Sequence, residues 1–236
     1  TRDNKQQVLI SHDGVLMSCN QAFFYEEKNF IEAYGDVVLK QGDTLDLEAN
    51  YIEYNGDSKI VYAKGNVVLN EPESKLYTKS LSFDRNKQEA YYTQNGKLIR
   101  NKTDTIISVI GTFFAEEKKY KFNKNVYLKT PKYKIYSDLL NYYTESGKSY
   151  FYGPTDIFTD DSKIFCEIGF YDTSNDNGYF IKNSRIDFEE YKINGDSIYF
   201  NKLTNYASAT NNIKILDTIN KTLTTGHYAE IFIDID

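Results

Sequence analysis

A repeat of 29 or 30 residues runs through this chain and limits what it can fold into. Eight segments align from their first apolar residue, at Met17, Leu47, Leu76, Ile106, Ile135, Ile164, Ile193 and Leu223, with successive starts 29 or 30 residues apart. Two residues after each start stands a small side chain: Cys19, Ala49, Thr78, Ser108, Ser137, Cys166, Gly195 and Thr225. Seven residues after each of the first seven starts stands an aromatic one: Phe24, Tyr54, Phe83, Phe113, Tyr142, Tyr171 and Phe200. A period in this range belongs to stacked supersecondary units, each unable to bury its apolar face alone.

The second unit shows what one repeat encodes. Its first half, Leu47-Glu48-Ala49-Asn50-Tyr51-Ile52-Glu53-Tyr54, alternates apolar and polar residues at 47 and 49, then again at 52 and 54. Alternation with a period of two marks a strand with one buried face. The change of parity between 49 and 52 predicts a bulge or corner, because an extra residue re-aims the side chains. A turn follows in Asn55-Gly56-Asp57-Ser58, matched by Asp84-Arg85-Asn86-Lys87 and Asp172-Thr173-Ser174-Asn175. A second strand then carries Gly65-Asn66 in its middle, and Gly35-Asp36 stands at the same phase one unit earlier, which again predicts a bend. Gly42, Pro72, Asn101, Pro131 and Asp160 share the phase of the closing turn. In the sixth unit Lys182-Asn183-Ser184 replaces the Gly-Asn-Val triplet, so regularity is least expected there.

Each unit therefore reads as a hairpin of bent strands. The predicted fold is all-β: an elongated, open-ended β-jelly-roll or solenoid of about sixteen antiparallel bent strands, with no helix. Its 22 Tyr and 15 Phe favour pleated, half-buried surfaces, and 3 Pro fit a chain made mostly of sheet. The inward-facing set comprises the starts Met17, Leu47, Leu76, Ile106, Ile135, Ile164, Ile193 and Leu223, with Ala49 two residues after its start. The residues five on, Ala22, Ile52, Leu81, Leu140 and Ile198, and the seven aromatics complete it. Second strands add Ala63, Phe122, Phe151 and Phe180, with Val37, Val67, Val126 and Ile213.

Charge and composition exclude several functions. A net charge of −6 with dispersed Lys and Arg argues against a general nucleic-acid binder, which needs a basic stripe. No apolar run is long enough for a membrane-spanning helix. Cys19 and Cys166 lie five repeats apart, and strands stack about 4.8 Å apart, so the thiols should be buried and unpaired. The only histidines are His12 and His227, and the densest acidic cluster, Asp156, Asp160 and Asp161, lacks a calcium-loop spacing. An enzyme, a metal site and a cofactor site are accordingly not expected. Val8-Leu9-Ile10 matches the end of a preceding repeat and the eighth unit runs out at Asp236. That predicts one repeat domain over residues 1–236, cut from a longer protein, with strand edges at its ends available for pairing.

Leu47-Glu48-Ala49-Asn50 with Tyr54, and Ala63-Lys64-Gly65-Asn66-Val67, resemble the OstA-like repeat. So do Leu76-Tyr77-Thr78 with Phe83-Asp84, Tyr136-Ser137-Asp138 with Tyr142, and Gly195-Asp196-Ser197 with Tyr199-Phe200. That family includes LptA-type periplasmic lipopolysaccharide bridge proteins and the periplasmic N-terminal domain of the outer-membrane lipopolysaccharide translocon. The resemblance covers roughly Val8 to Ile231, and the richness in Asn, Lys and Tyr is similar to longer OstA-like proteins of Bacteroidota. It implies a non-enzymatic lipid carrier in the Gram-negative periplasm, serving the outer membrane, with acyl chains of lipopolysaccharide or a related lipid held against the inward-facing set. It also implies end-to-end strand pairing with other jelly-roll proteins of a transport bridge and head-to-tail self-association. Periodicity alone favours a filled core instead. The alternative is thus a structural or adhesive solenoid that binds glycans through outward tyrosines such as Tyr25, Tyr77 and Tyr127.

Overall fold

The computed structural model describes residues 7–12, 14–41, 45–172, 174–204 and 206–232. Gly42 and Thr173 of the expected turns, and the chain end at Asp236, lie outside the described residues. Among the described residues the fold is all-β and antiparallel, with nineteen strands and one 3-10 turn at Glu26–Lys28. Backbone contacts group the chain into two units, Thr1–Glu116 and Glu117–Asp236.

The first unit holds β1 (Val8–His12), β2 (Val15–Cys19), β3 (Gln21–Tyr25), β4 (Phe30–Gln41), β5 (Leu45–Asn55), β6 (Ile60–Asn70), β7 (Ser74–Asp84), β8 (Glu89–Tyr92), β9 (Gly96–Arg100), β10 (Asp104–Ser108) and β11 (Ile110–Phe114). The second holds β12 (Lys119–Lys129), β13 (Lys134–Tyr143), β14 (Lys148–Phe158), β15 (Ser162–Asp172), β16 (Asn177–Phe188), β17 (Tyr191–Asn201), β18 (Tyr206–Asp217) and β19 (Thr222–Phe232). In three places the corner interrupts the ladder: between β2 and β3, β8 and β9, and β10 and β11. Joining those halves leaves the sixteen bent arms that the repeat encodes.

The corners lie where apolar parity changes. Pairing shifts between Glu48 and Tyr51 in β5, Ser137 and Leu139 in β13, Phe165 and Ile168 in β15, and Asn194 and Ser197 in β17. The following strand turns the same corner with left-handed backbone: Gly35 and Asp36, Gly65 and Asn66, Lys124 and Asn125, Lys182 and Asn183, Asn211 and Asn212 all have positive φ. Glycine and asparagine adopt that region at least cost, which accounts for the Gly-Asp and Gly-Asn pairs. Lys182-Asn183 adopts the same geometry, so the sixth unit is regular after all. Side chains latch adjacent corners together sixteen residues apart: Asn20 donates to Asp36 at 3.3 Å, Asn183 to Glu167 at 2.6 Å and Asn212 to Asp196 at 2.9 Å.

The turns at the other end are Asx turns. Asn55, Asp84, Asp172, Asn201 and Asp217 each accept backbone N–H bonds from residues two and three further on. Stacked turns are tied by backbone bonds, Gly56 N–H to Asn29, Arg85 N–H to Lys59 and Lys202 N–H to Asp176 among them.

Straight strands cannot explain where the strand ends lie. An eleven-residue strand such as β7 would be about 35 Å long if extended. Gln41 ends β4 beside the Leu47 end of β5, whereas Arg85 follows the opposite end of β7. Their side chains nevertheless meet at 3.1 Å. In the second unit Lys132, just before β13, meets Asp176, just before β16, at 2.8 Å. Each sheet is thus folded at its corners into two walls whose outer rims touch along a seam.

Candidate functional site: the apolar interior of each unit

Cross-strand register resolves the interior of each unit into three main ladders. The repeat starts form the first, interleaved with residues of the intervening strands. It runs Met17, Leu39, Leu47, Leu69, Leu76, Leu98 and Ile106 in the first unit. In the second it runs Leu128, Ile135, Ile157, Ile164, Ile186, Ile193 and Ile215. Beyond the corner, Ala22, Ala33, Ile52, Ala63 and Leu81 form another rung series, matched by Phe122, Leu140, Phe151, Gly169, Phe180, Ile198 and Ala209. The aromatics seven residues after each start alternate mostly with smaller partners: Ile31 and Val61 flank Tyr54, and Ser149 and Gly178 flank Tyr171. Large beside small lets adjacent rungs interdigitate.

Most of the expected inward set is enclosed. Met17, Leu47, Ala49, Ile52, Tyr54, Leu76, Leu81, Phe83, Ile106, Phe113, Ile135, Leu140, Tyr142, Ile164, Tyr171 and Ile198 each expose between 0 and 8% of their surface. The walls therefore lie in contact, with no water-lined tube between them at these positions. Ala22, Ile193 and Phe200 are half-buried.

Two placements correct the sequence reading. Phe24 is 61% exposed. It sits opposite Ile31 and so faces inward, but β3 pairs with β4 on one side and, among the described residues, with no strand on the other. No neighbouring rung covers the ring. Leu223 is 60% exposed because the eighth unit is registered one residue later: Leu223 pairs with Leu216 on the outer face, and Thr224 pairs with Ile215 on the inner ladder. Gly226, Ala229 and Ile231 then take the places two, five and seven residues on.

Three of the small residues two after each start, Thr78, Ser108 and Ser137, serve the corner. Ser108 Oγ donates to the Ile110 carbonyl at 2.8 Å, Ser137 Oγ to the Leu139 carbonyl at 3.2 Å and Thr78 Oγ1 to the Ser80 carbonyl at 3.3 Å. Carbonyls freed by the bulge would otherwise be buried without a donor. Tyr92 is, with Tyr120 and Tyr133, a buried aromatic missed by the aromatic pattern. It lies sixteen residues after Leu76, in phase with Phe122 and Phe151, and that spacing was the available signal. Its hydroxyl bonds Ser108 Oγ at 2.7 Å, and burial pushes its pKa up to about 12 against the opposing effect of that bond.

Cys19 and Cys166 are buried and unpaired, as the spacing implied. Burial, then the charge of Asp156, raises the Cys166 thiol pKa to about 12. The acidic cluster disperses: Asp156 pairs with Lys163 at 3.3 Å, while Asp161 accepts from Thr159 and Ser162, with Thr159 the main cause of its lowered pKa. His12 lies edge-on to Tyr54, and His227 is exposed on β19. Among the described residues no group of His, Cys, Asp and Glu could hold a metal ion, and no helix is long and apolar enough to cross a membrane.

Side chains close the seam over the interior. In the first unit Arg85 donates to Gln41 at 3.1 Å and to the Tyr54 hydroxyl at 2.9 Å, and Gln41 donates to Gln88 at 3.2 Å. In the second, Tyr133 and Tyr171 meet edge to face with ring centroids 5.1 Å apart, beneath the Lys132–Asp176 ion pair. Tyr171 donates to Asp176 at 2.8 Å. Burial works against ionisation of Asp176, but the bonds from Lys132 and Tyr171 outweigh it and hold the carboxyl below its ordinary range.

Comparison with known proteins gives the family. Residues 1–138, more than half of the chain, match the family described as OstA-like protein. No curated protein matches the sequence. Among solved structures the chain is similar to LptH, the LptA-homologous periplasmic component of the lipopolysaccharide transport device from Pseudomonas aeruginosa. The two are 12% identical over 55% of this chain and 76% of that one, with a TM-score of 0.26. Apo AztD from Citrobacter koseri is 8% identical over 97% of this chain and 94% of that one, with a TM-score of 0.17. On the match over residues 1–138, this chain belongs to the OstA-like proteins.

Proposed function

We propose that this protein is a non-enzymatic lipid carrier of the periplasm, taking acyl chains of lipopolysaccharide or a related lipid between its two walls and conveying them toward the outer membrane. The observation that carries this reading is the run of apolar ladders in each unit, unbroken from rung to rung and closed along one side by side chains alone. Each CH₂ removed from water contributes about 0.8 kcal/mol, so a twelve-carbon chain offsets about 10 kcal/mol of the cost of crossing an aqueous space. Because the walls are in contact, the lipid must part them and replace wall-to-wall contacts with its own. Family membership supports the transport role. The outer edge of β19, with Leu223, Tyr228 and Phe232 exposed, suits strand pairing with another jelly-roll protein or a second copy.

The low exposure of the interior favours a second reading, a structural or adhesive solenoid with a filled core. Outward rows such as Tyr150, Phe170, Tyr179 and Tyr199, paired across four adjacent strands, would then bind glycans. Photo-crosslinking in cells separates the two. A crosslinker at Leu81 or Tyr142 is expected to capture lipopolysaccharide, and one at the exposed Lys79 is not. Capture at Lys79 without capture at the interior positions would overturn the carrier.

A further inference from the structure

We propose that the seam is the door through which an acyl chain reaches the interior, and that Gln41–Arg85 and Lys132–Asp176 are its latches. This rests on the carrier reading and specifies the route. Apart from the uncovered rungs at β3 and β19, the other boundaries of the interior are backbone ladders among the described residues. β4 to β7 are paired in order along both walls of the first unit, and β12 to β19 in the second. Parting two strands there would break a row of hydrogen bonds at once. Among the described residues the contacts that cross the seam are made by side chains, so separating the rims leaves both ladders intact.

The two latches have a common construction. Each joins residues 44 apart in sequence, and each places a cation against a polar or acidic group from the opposite rim. Each stands over a tyrosine of the aromatic ladder, Tyr54 beneath Arg85 and Tyr171 beneath Lys132–Asp176. Two unrelated surface contacts would have no reason to share spacing, chemistry and aromatic floor. A latch of hydrogen-bonding groups, satisfied by water once open, releases at far lower cost than an apolar weld of the same area. The latch also carries a link to the interior: swinging Asp176 away frees the Tyr171 hydroxyl, which unseats the ring packed against Tyr133 and Phe200.

The test uses the full chain with Lys132→Cys and Asp176→Cys joined by a short bis-maleimide; native Cys19 and Cys166 are buried and stay unmodified. Uptake of a nitroxide-labelled stearate is followed by its spectral immobilisation. The joined form is expected to take up the probe at least about tenfold more slowly than the same variant left unjoined, and Asp176→Asn, which keeps the fold but weakens the latch, to take it up faster than wild type. Equal uptake by joined and unjoined protein would refute the door while leaving the carrier intact. No uptake by any form, including wild type, would remove the carrier reading and the door with it.

Discussion

The ring of Tyr92 occupies the space that a side chain on either neighbouring glycine would need. A Cβ built on Gly96 would lie 2.2 Å from the ring, and one on Gly111 2.4 Å from it, distances that no relaxed packing allows. Gly111→Ala is therefore expected to cost about 1–3 kcal/mol, through displacement of Tyr92 and loss of its bond to Ser108. Gly195→Ala is the control: its nearest neighbour would be 3.5 Å away, and the shorter list of unfolded conformations stabilises such a change by up to about 1 kcal/mol. Urea midpoints of the two variants check the pair, and equal shifts would refute the argument from space. These residues also mark what sequence yields at this scale. The small side chains two after each start were visible as a pattern, but their purpose was not. Room for a ligand and a hydroxyl for a bulge carbonyl both select Ser and Thr, and only the bond from Ser108 to the Ile110 carbonyl separates them.

Strands and corners were the most legible elements, because side-chain parity and backbone conformation are local. The change of phase between Ala49 and Ile52 falls on the register shift of β5, and Gly65-Asn66 falls on two left-handed residues with φ of 79° and 50°. A β-branched residue pays the full steric cost of that region. Asn66→Val is expected to destabilise by about 1–2 kcal/mol with the solvent-facing surface otherwise unchanged, read as a lower urea midpoint at constant slope. An unchanged midpoint would mean that the corner relaxes to ordinary strand geometry. Where local information failed, a neighbour decided the outcome. Phe24 has the right phase, but no rung beyond β3 covers it among the described residues. At Leu223 hydrophobicity suggested one register, whereas pairing with β18 set the next, so that Thr224 and Gly226 stand on the inner ladder.

Closure of the roll was not legible at all. Latch residues 44 apart belong to different repeats and opposite strand ends, and no hydrophobic periodicity marks them. What closure does to the molecule follows from the ladders. Each rung touches the rungs on either side, so a defect should spread along a unit only as far as neighbour contacts carry it. Phe180 is the sharpest place to test this. It is fully buried, stacks on Phe200 with centroids 5.7 Å apart, and fits between Gly169 and Gly178, whose added Cβ atoms would each lie 3.0 Å from its ring. Phe180→Ala empties that site and is expected to cost about 3–5 kcal/mol, since glycine neighbours offer no side chain to fill the void. Hydrogen exchange should then accelerate in β15, β16 and β17, whose inner faces line the cavity, while β4 to β7 keep their protection. Uniform acceleration through both units would show a single cooperative core instead, and a lipid parting the walls at one rung would then have to loosen every other.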